Sequence, residues 1–112
     1  MLSKKKVYVA GPYTLGDVCL NVRNAIQAGN ELADQGLIPF VPHLSHFWHM
    51  LCPRPYDFWL DYDNQFLPHC DALLRLPGES SGSDKEVELA KSLGIPVFHS
   101  IEEVFLWERA EA

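Results

Sequence analysis

The chain is poor in the residues that mark several common classes of protein. It has three cysteines, Cys19, Cys52 and Cys70. That number is odd and shows no C-x-x-C spacing, so neither a disulfide framework nor a zinc ribbon is indicated, and free buried thiols in a reducing compartment are expected. Basic residues are also scarce, with nine Lys and Arg against fifteen Asp and Glu and a formal charge of -6. Such a balance leaves no electrostatic footprint for a nucleic-acid polymer or an anionic membrane. Long apolar runs are missing as well. After Lys4, Lys5 and Lys6 only a short apolar stretch precedes Gly11 and Pro12. It is too short for a signal-peptide core or a membrane span, which predicts a soluble, cytoplasmic protein. There are no internal repeats, low-complexity tracts or linkers. In 112 residues, 47% hydrophobic content can fill one core, so a single domain over 1–112 is expected.

The residues that are present alternate between two periodicities. KVYVA (6–10) reads as a buried strand ending in Gly-Pro. Val22, Ala25, Ile26, Gly29, Leu32 and Ala33 then recur at helical spacing, with Asn21 or Asp17 as cap and Gly36 as stop. LIPFVPH (37–43) is a strand that Pro39 confines to a sheet edge. A short helix is expected over Ser45–Leu51 and a longer one over Tyr56–His69. The strand Ala72–Leu76, a helix using Val87, Ala90 and Leu93, the strand IPVFHS (95–100) and a helix over Ser100–Arg109 complete the chain. This β/α alternation predicts an α/β Rossmann-like or flavodoxin-like fold, a parallel sheet of about four strands with helices on both faces. Right-handed crossovers make 2-1-3-4 the simplest strand order.

In such a sheet, ligands bind beyond the carboxyl ends of the strands where the order reverses, here between the first and third. The loops at that point are GPYTLGD (11–17) and PGESSGS (77–83), with PHLSHFWH (42–49) beside them. Expected substrate contacts are therefore Gly11, Pro12, Tyr13, His43, His46, Ser80, Ser81, Gly82 and Ser83. Glu86 has two readings. Ser83-Asp84-Lys85-Glu86 has the form of a capping box, repeated in Ser100-Ile101-Glu102-Glu103, and would turn the carboxylate back onto the backbone. Alternatively, a glutamate in the first helical turn after a parallel strand faces a ligand. His43, His46 and His49 are spaced by three and could share a metal; lining the cleft with Trp48, or packing, are the competing roles. Trp59 and Trp107 read as core or interface residues.

KVYVAGPYT at the start, the D-x7-D pair Asp63 and Asp71, and the run from Ser80 through Gly82, Glu86, Val87, Leu89 and Ala90 into LGIPV together resemble the nucleoside 2-deoxyribosyltransferase-like superfamily. That superfamily includes deoxynucleoside monophosphate N-glycosidases, and the resemblance runs from Lys6 to about Val104. It implies that Glu86, four residues after Gly82, is the nucleophile toward C1′ of a deoxyribose. It implies that Tyr8 holds that carboxylate and that Asp63 handles the leaving base. Glu88, two residues further along the helix, points elsewhere. The transferases carry an aspartate where this chain has Ser80, which is like the monophosphate glycosidases. The glycine-rich first loop of those glycosidases is not matched by GPYTLGD. The expected partner is a small nucleoside or nucleotide, with no cofactor and no metal. A homo-oligomer, dimer or higher, is expected, with Phe105 and Trp107 as interface candidates. The competing functional reading is a non-catalytic nucleotide-binding module.

Overall fold

The structure, a computed structural model, describes residues 4–111. Met1 to Ser3 and Ala112, which the 1–112 domain expectation includes, lie outside the described residues. Four strands, β1 (Lys6–Ala10), β2 (Ile38–Phe40), β3 (Ala72–Arg75) and β4 (Val97–Phe98), form one parallel sheet in the order β2-β1-β3-β4. Among the described residues, five α-helices connect and cover them: α1 (Val18–Asp34), α2 (Ser45–Leu51), α3 (Tyr56–Asn64), α4 (Ser81–Ser92) and α5 (Ile101–Glu111). The α/β architecture and the strand order are those the sequence predicts. Pro39 sits on the edge strand, where its missing N–H deprives no neighbour of a ladder bond.

Successive side chains of β1 leave by opposite faces of the sheet, which decides what each can touch. Val7 and Val9 join Ala25, Ala28 and Leu32 of α1, together with Ala72, Leu74 and Val104. Tyr8 and Ala10 go the other way, to Leu73, Ala90 of α4 and Leu67. The tyrosine is thereby delivered, fully buried, to the α4 face. The mouths of β1 and β3 are held in register from below, where the Lys6 N–H donates to Asp71 Oδ2 at 2.8 Å and the Asp71 N–H to the Lys6 carbonyl at 2.7 Å.

Asp17 caps α1 by accepting from the Leu20 N–H at 3.1 Å, and Gly36, at φ 85°, ends it in the left-handed region. Within α1 the buried stripe passes through Ala28, while Ile26 and Ala33 are exposed, a correction of the predicted face. The predicted helix over Tyr56–His69 stops at Asn64, and Leu67–His69 forms a separate 3-10 turn. Pro68 explains the break, because it cannot supply the N–H that continuation would need. Cys70 is buried, but Cys19 and Cys52 are exposed, against the expectation of three buried thiols. Among the described residues, no helix is long and apolar enough to cross a membrane.

Candidate active site

The start of α4 differs from the predicted capping box. Ser80, not Ser83, is the N-cap: its Oγ accepts from the Ser83 N–H at 3.1 Å and donates to Ser83 Oγ at 3.0 Å. Ser83 lies inside the helix, 2% exposed. Glu86 is therefore a turn deeper than expected and does not reach back to the backbone. At α5 the same sequence pattern does close a box: Ser100 Oγ accepts from the Glu103 N–H at 3.2 Å, and Glu103 Oε1 accepts from the Ser100 N–H at 3.1 Å. The difference has a tertiary cause. Glu86 faces the sheet, where the Tyr8 hydroxyl donates to its Oε2.

Both partners are buried, with Tyr8 0% and Glu86 8% exposed. Burial pushes the Glu86 carboxyl up to about 7, against the opposing pull of the Tyr8 hydrogen bond and the Arg75 guanidinium. Burial and the adjacent Glu86 charge raise the Tyr8 phenol, so it remains a donor throughout the neutral range. Asp63, in the last turn of α3, is also pushed up to about 7, first by burial and then by Glu86. Its Oδ1 is buried without a hydrogen-bond partner.

Glu86 and Asp63 open onto a cavity of about 480 Å³ at the carboxyl end of the sheet. Gly11 and Tyr13 line it from the loop after β1, and His43 from the exit of β2. Ser80, Ser81, Gly82 and Ser83 line it from the start of α4. Tyr8, Pro12 and His46 do not reach the cavity wall. Tyr8 lies behind Glu86, Pro12 is engaged through its carbonyl, and His46 Nδ1 pairs with the Tyr13 hydroxyl at 2.7 Å. Trp48 is not on the wall either; it packs among Trp59, Phe58 and Tyr62.

The histidines are held by three different partners. His43 Nε2 bonds the Pro12 carbonyl at 2.9 Å, His46 bonds Tyr13, and His49 Nδ1 accepts from the Trp59 indole N–H at 2.9 Å. Among the described residues, no group of His, Cys, Asp and Glu is arranged to hold a metal.

Among the wall residues that sequence reasoning did not assign to the cavity are Trp59 and Tyr56. Trp59, read as core, forms part of the wall beside His49. Tyr56 crosses from α3 to the start of α4, and its hydroxyl would stand 2.6 Å from a Cβ placed on Gly82. The absence of a side chain at Gly82 admits that hydroxyl. A tyrosine directly after Pro55 at a helix start was the available signal, but nothing local pairs it with Gly82.

Residues 5–100 match a family described as Domain of unknown function (DUF7768). The chain belongs to this family. The match covers all four strands and the cavity wall, so the Tyr8, Asp63 and Glu86 constellation lies within the DUF7768 domain. No curated protein matches the chain. Among solved structures, the DUF7768 domain is similar to a 2-deoxyribosyltransferase from the psychrotolerant bacterium Bacillus psychrosaccharolyticus. The TM-score is 0.60 at 22% identity, over 82% of this chain and 69% of that one. The likeness is one of fold.

Proposed function

We propose that the protein cleaves or transfers the N-glycosidic bond of a 2′-deoxynucleoside or its 5′-monophosphate through a covalent glycosyl-Glu86 intermediate. The observation that carries the reading is the buried Glu86 carboxylate, held by the Tyr8 hydroxyl and sharing a cavity wall with a raised Asp63. The fold likeness to a 2-deoxyribosyltransferase supports the same substrate class.

The chemistry follows from the charges. Ionised Glu86 attacks C1′ as the C1′–N bond breaks, and Asp63 gives its proton to the departing base. Part of what keeps Asp63 protonated is the Glu86 charge. Ester formation removes that charge, so Asp63 becomes more acidic as its proton is required. A water or a second base then attacks C1′, with Asp63 taking up the proton released, and Glu86 regains its charge. Tyr8 orients the nucleophile and limits how far burial raises it.

The alternative of a non-catalytic binder uses the same cavity. Chromatographic detection of free base from a panel of 2′-deoxynucleosides and their 5′-monophosphates separates the two. The enzyme releases base, and Glu86→Gln does not; a protein that binds members of the panel without releasing base is the binding module. We also propose a cytoplasmic homo-oligomer. Phe105 and Trp107 pack on the core beside β4, whereas α2 exposes Phe47, Met50 and, at 85%, Leu51, which makes α2 the better interface candidate. Sedimentation of a strict monomer at micromolar concentration would remove that expectation.

A further inference from the structure

Two histidines on the cavity wall are each pinned through one ring nitrogen, and the partner determines what the other nitrogen is. A carbonyl oxygen only accepts, so His43 Nε2, 2.9 Å from the Pro12 carbonyl, carries a proton. His43 is 6% exposed, and burial lowers its pKa, which keeps the ring neutral. Its Nδ1 is then a bare acceptor, and it is buried without a protein partner. An unsatisfied acceptor of this kind is costly unless a ligand or water supplies a donor. His49 is the complement. Its Nδ1 accepts from the Trp59 indole N–H at 2.9 Å and from the Arg54 backbone N–H at 3.2 Å, and both of those groups only donate. The ring proton of His49 is therefore on Nε2, which is a donor.

Resting on the nucleoside reading of this cavity, we propose that His43 and His49 are the specificity-determining pair that receives the base end of the ligand, His43 Nδ1 accepting a base N–H and His49 Nε2–H donating to a base nitrogen or carbonyl. A nucleobase carries both donors and acceptors, an amino group or ring N–H together with ring nitrogens and carbonyls, and so can meet both kinds of histidine nitrogen. A phosphate or carboxylate offers no donor to His43. The Trp59 ring, fixed by the same bond that orients His49, supplies an apolar wall for the base. Asp63 lies on the same cavity wall.

Two substitutions isolate the display from its supports. His43→Gln retains a donor toward the Pro12 carbonyl and moves the acceptor off the Nδ1 position, while His49→Asn retains an acceptor toward Trp59 and moves the donor off the Nε2 position. Each is expected to weaken binding of the four 2′-deoxynucleosides by about 5- to 150-fold, the range for leaving one polar group unpaired. Binding of 2-deoxyribose, which has no base, should be unchanged. In a nitrogen-15 spectrum of histidine-labelled protein, saturating nucleoside should move the His43 Nδ1 resonance and leave the already engaged His49 Nδ1 in place. Base release that is undiminished in both variants overturns the pair while leaving the glycosidic reaction intact. Nucleoside binding that both variants lose, without base release by the unaltered protein, sinks the reaction and retains the pair. An unaltered protein that binds neither the nucleosides nor their 5′-monophosphates overturns both.

Discussion

Replacing Glu86 by Gln should stabilise the protein at high pH and leave it nearly unchanged at low pH. The carboxyl titrates at about 7 in the fold, against 4.5 for a free glutamate. Between those values the folded chain holds a proton that the unfolded chain has released, so stability falls as pH rises through the window and levels off above it. Each unit of that gap is worth about 1.36 kcal/mol, which makes about 3 kcal/mol the upper bound for the loss. Little screening discount applies, since the residue is 8% exposed. The amide introduced by Glu86→Gln would carry no charge to bury and could still accept from the Tyr8 hydroxyl. In a small domain, 1 kcal/mol moves Tm by roughly 4–8 °C. Thermal melts followed by circular dichroism should therefore show the variant above the parent by on the order of 10 °C at pH 8 and level with it at pH 4. A gap that is the same at both pH values, or a variant less stable at pH 8, would refute the reasoning, because it would mean that Glu86 is not held in the fold as a costly charge.

Other consequences are open to test. Tyr8→Phe removes the bond that holds the Glu86 carboxyl down, so the acidic limb of the pH–rate profile should move to higher pH by about 1–2 units, in line with the roughly 1.5–3 kcal/mol of a hydrogen bond to a charged group; an unmoved limb would remove Tyr8 from the mechanism. Ser80→Ala should cost about 1 kcal/mol through the lost cap, and no loss from Ser80→Ala together with a loss from Glu86→Gln at pH 8 would restore the capping box over Ser83 and Glu86. Gly82→Ala should displace the Tyr56 hydroxyl, which is free to swing toward solvent, so Tm should not fall while KM rises. A large drop in Tm with KM unchanged would show that Gly82 serves the backbone and not the cavity.

The sheet was readable because its cues are local. Alternating strand and helix periodicities, Gly36 as a stop and Pro39 as an edge marker all act within a few residues, and right-handed crossovers do the rest. The start of α4 was misread for the opposite reason. Ser80 and Ser83 are both acceptable caps, and the pattern Ser-x-x-Glu occurs at both Ser83 and Ser100, yet only the second closes. What separates them is Tyr8, 78 positions from Glu86, drawing the carboxylate to the sheet. The same limit hid the wall. Trp59 looks like a core residue at helical spacing until His49 is placed against its indole, and Tyr56 has no evident role until the start of α4 lies under its hydroxyl. The catalytic candidates came instead from a resemblance of motif order, and the meeting of Glu86 and Asp63 on one cavity, with Tyr8 behind Glu86, is tertiary information.

The most direct test of the central claim is intact-mass analysis after incubation with a 2′-fluoro-2′-deoxynucleoside, whose electron-withdrawing substituent slows breakdown of a glycosyl ester. The account predicts one added fluorodeoxyribosyl group per chain, mapped by digestion to the peptide that contains Glu86 and absent from Glu86→Gln. Base release with the chain left unmodified, or an adduct on a residue other than Glu86, would contradict it.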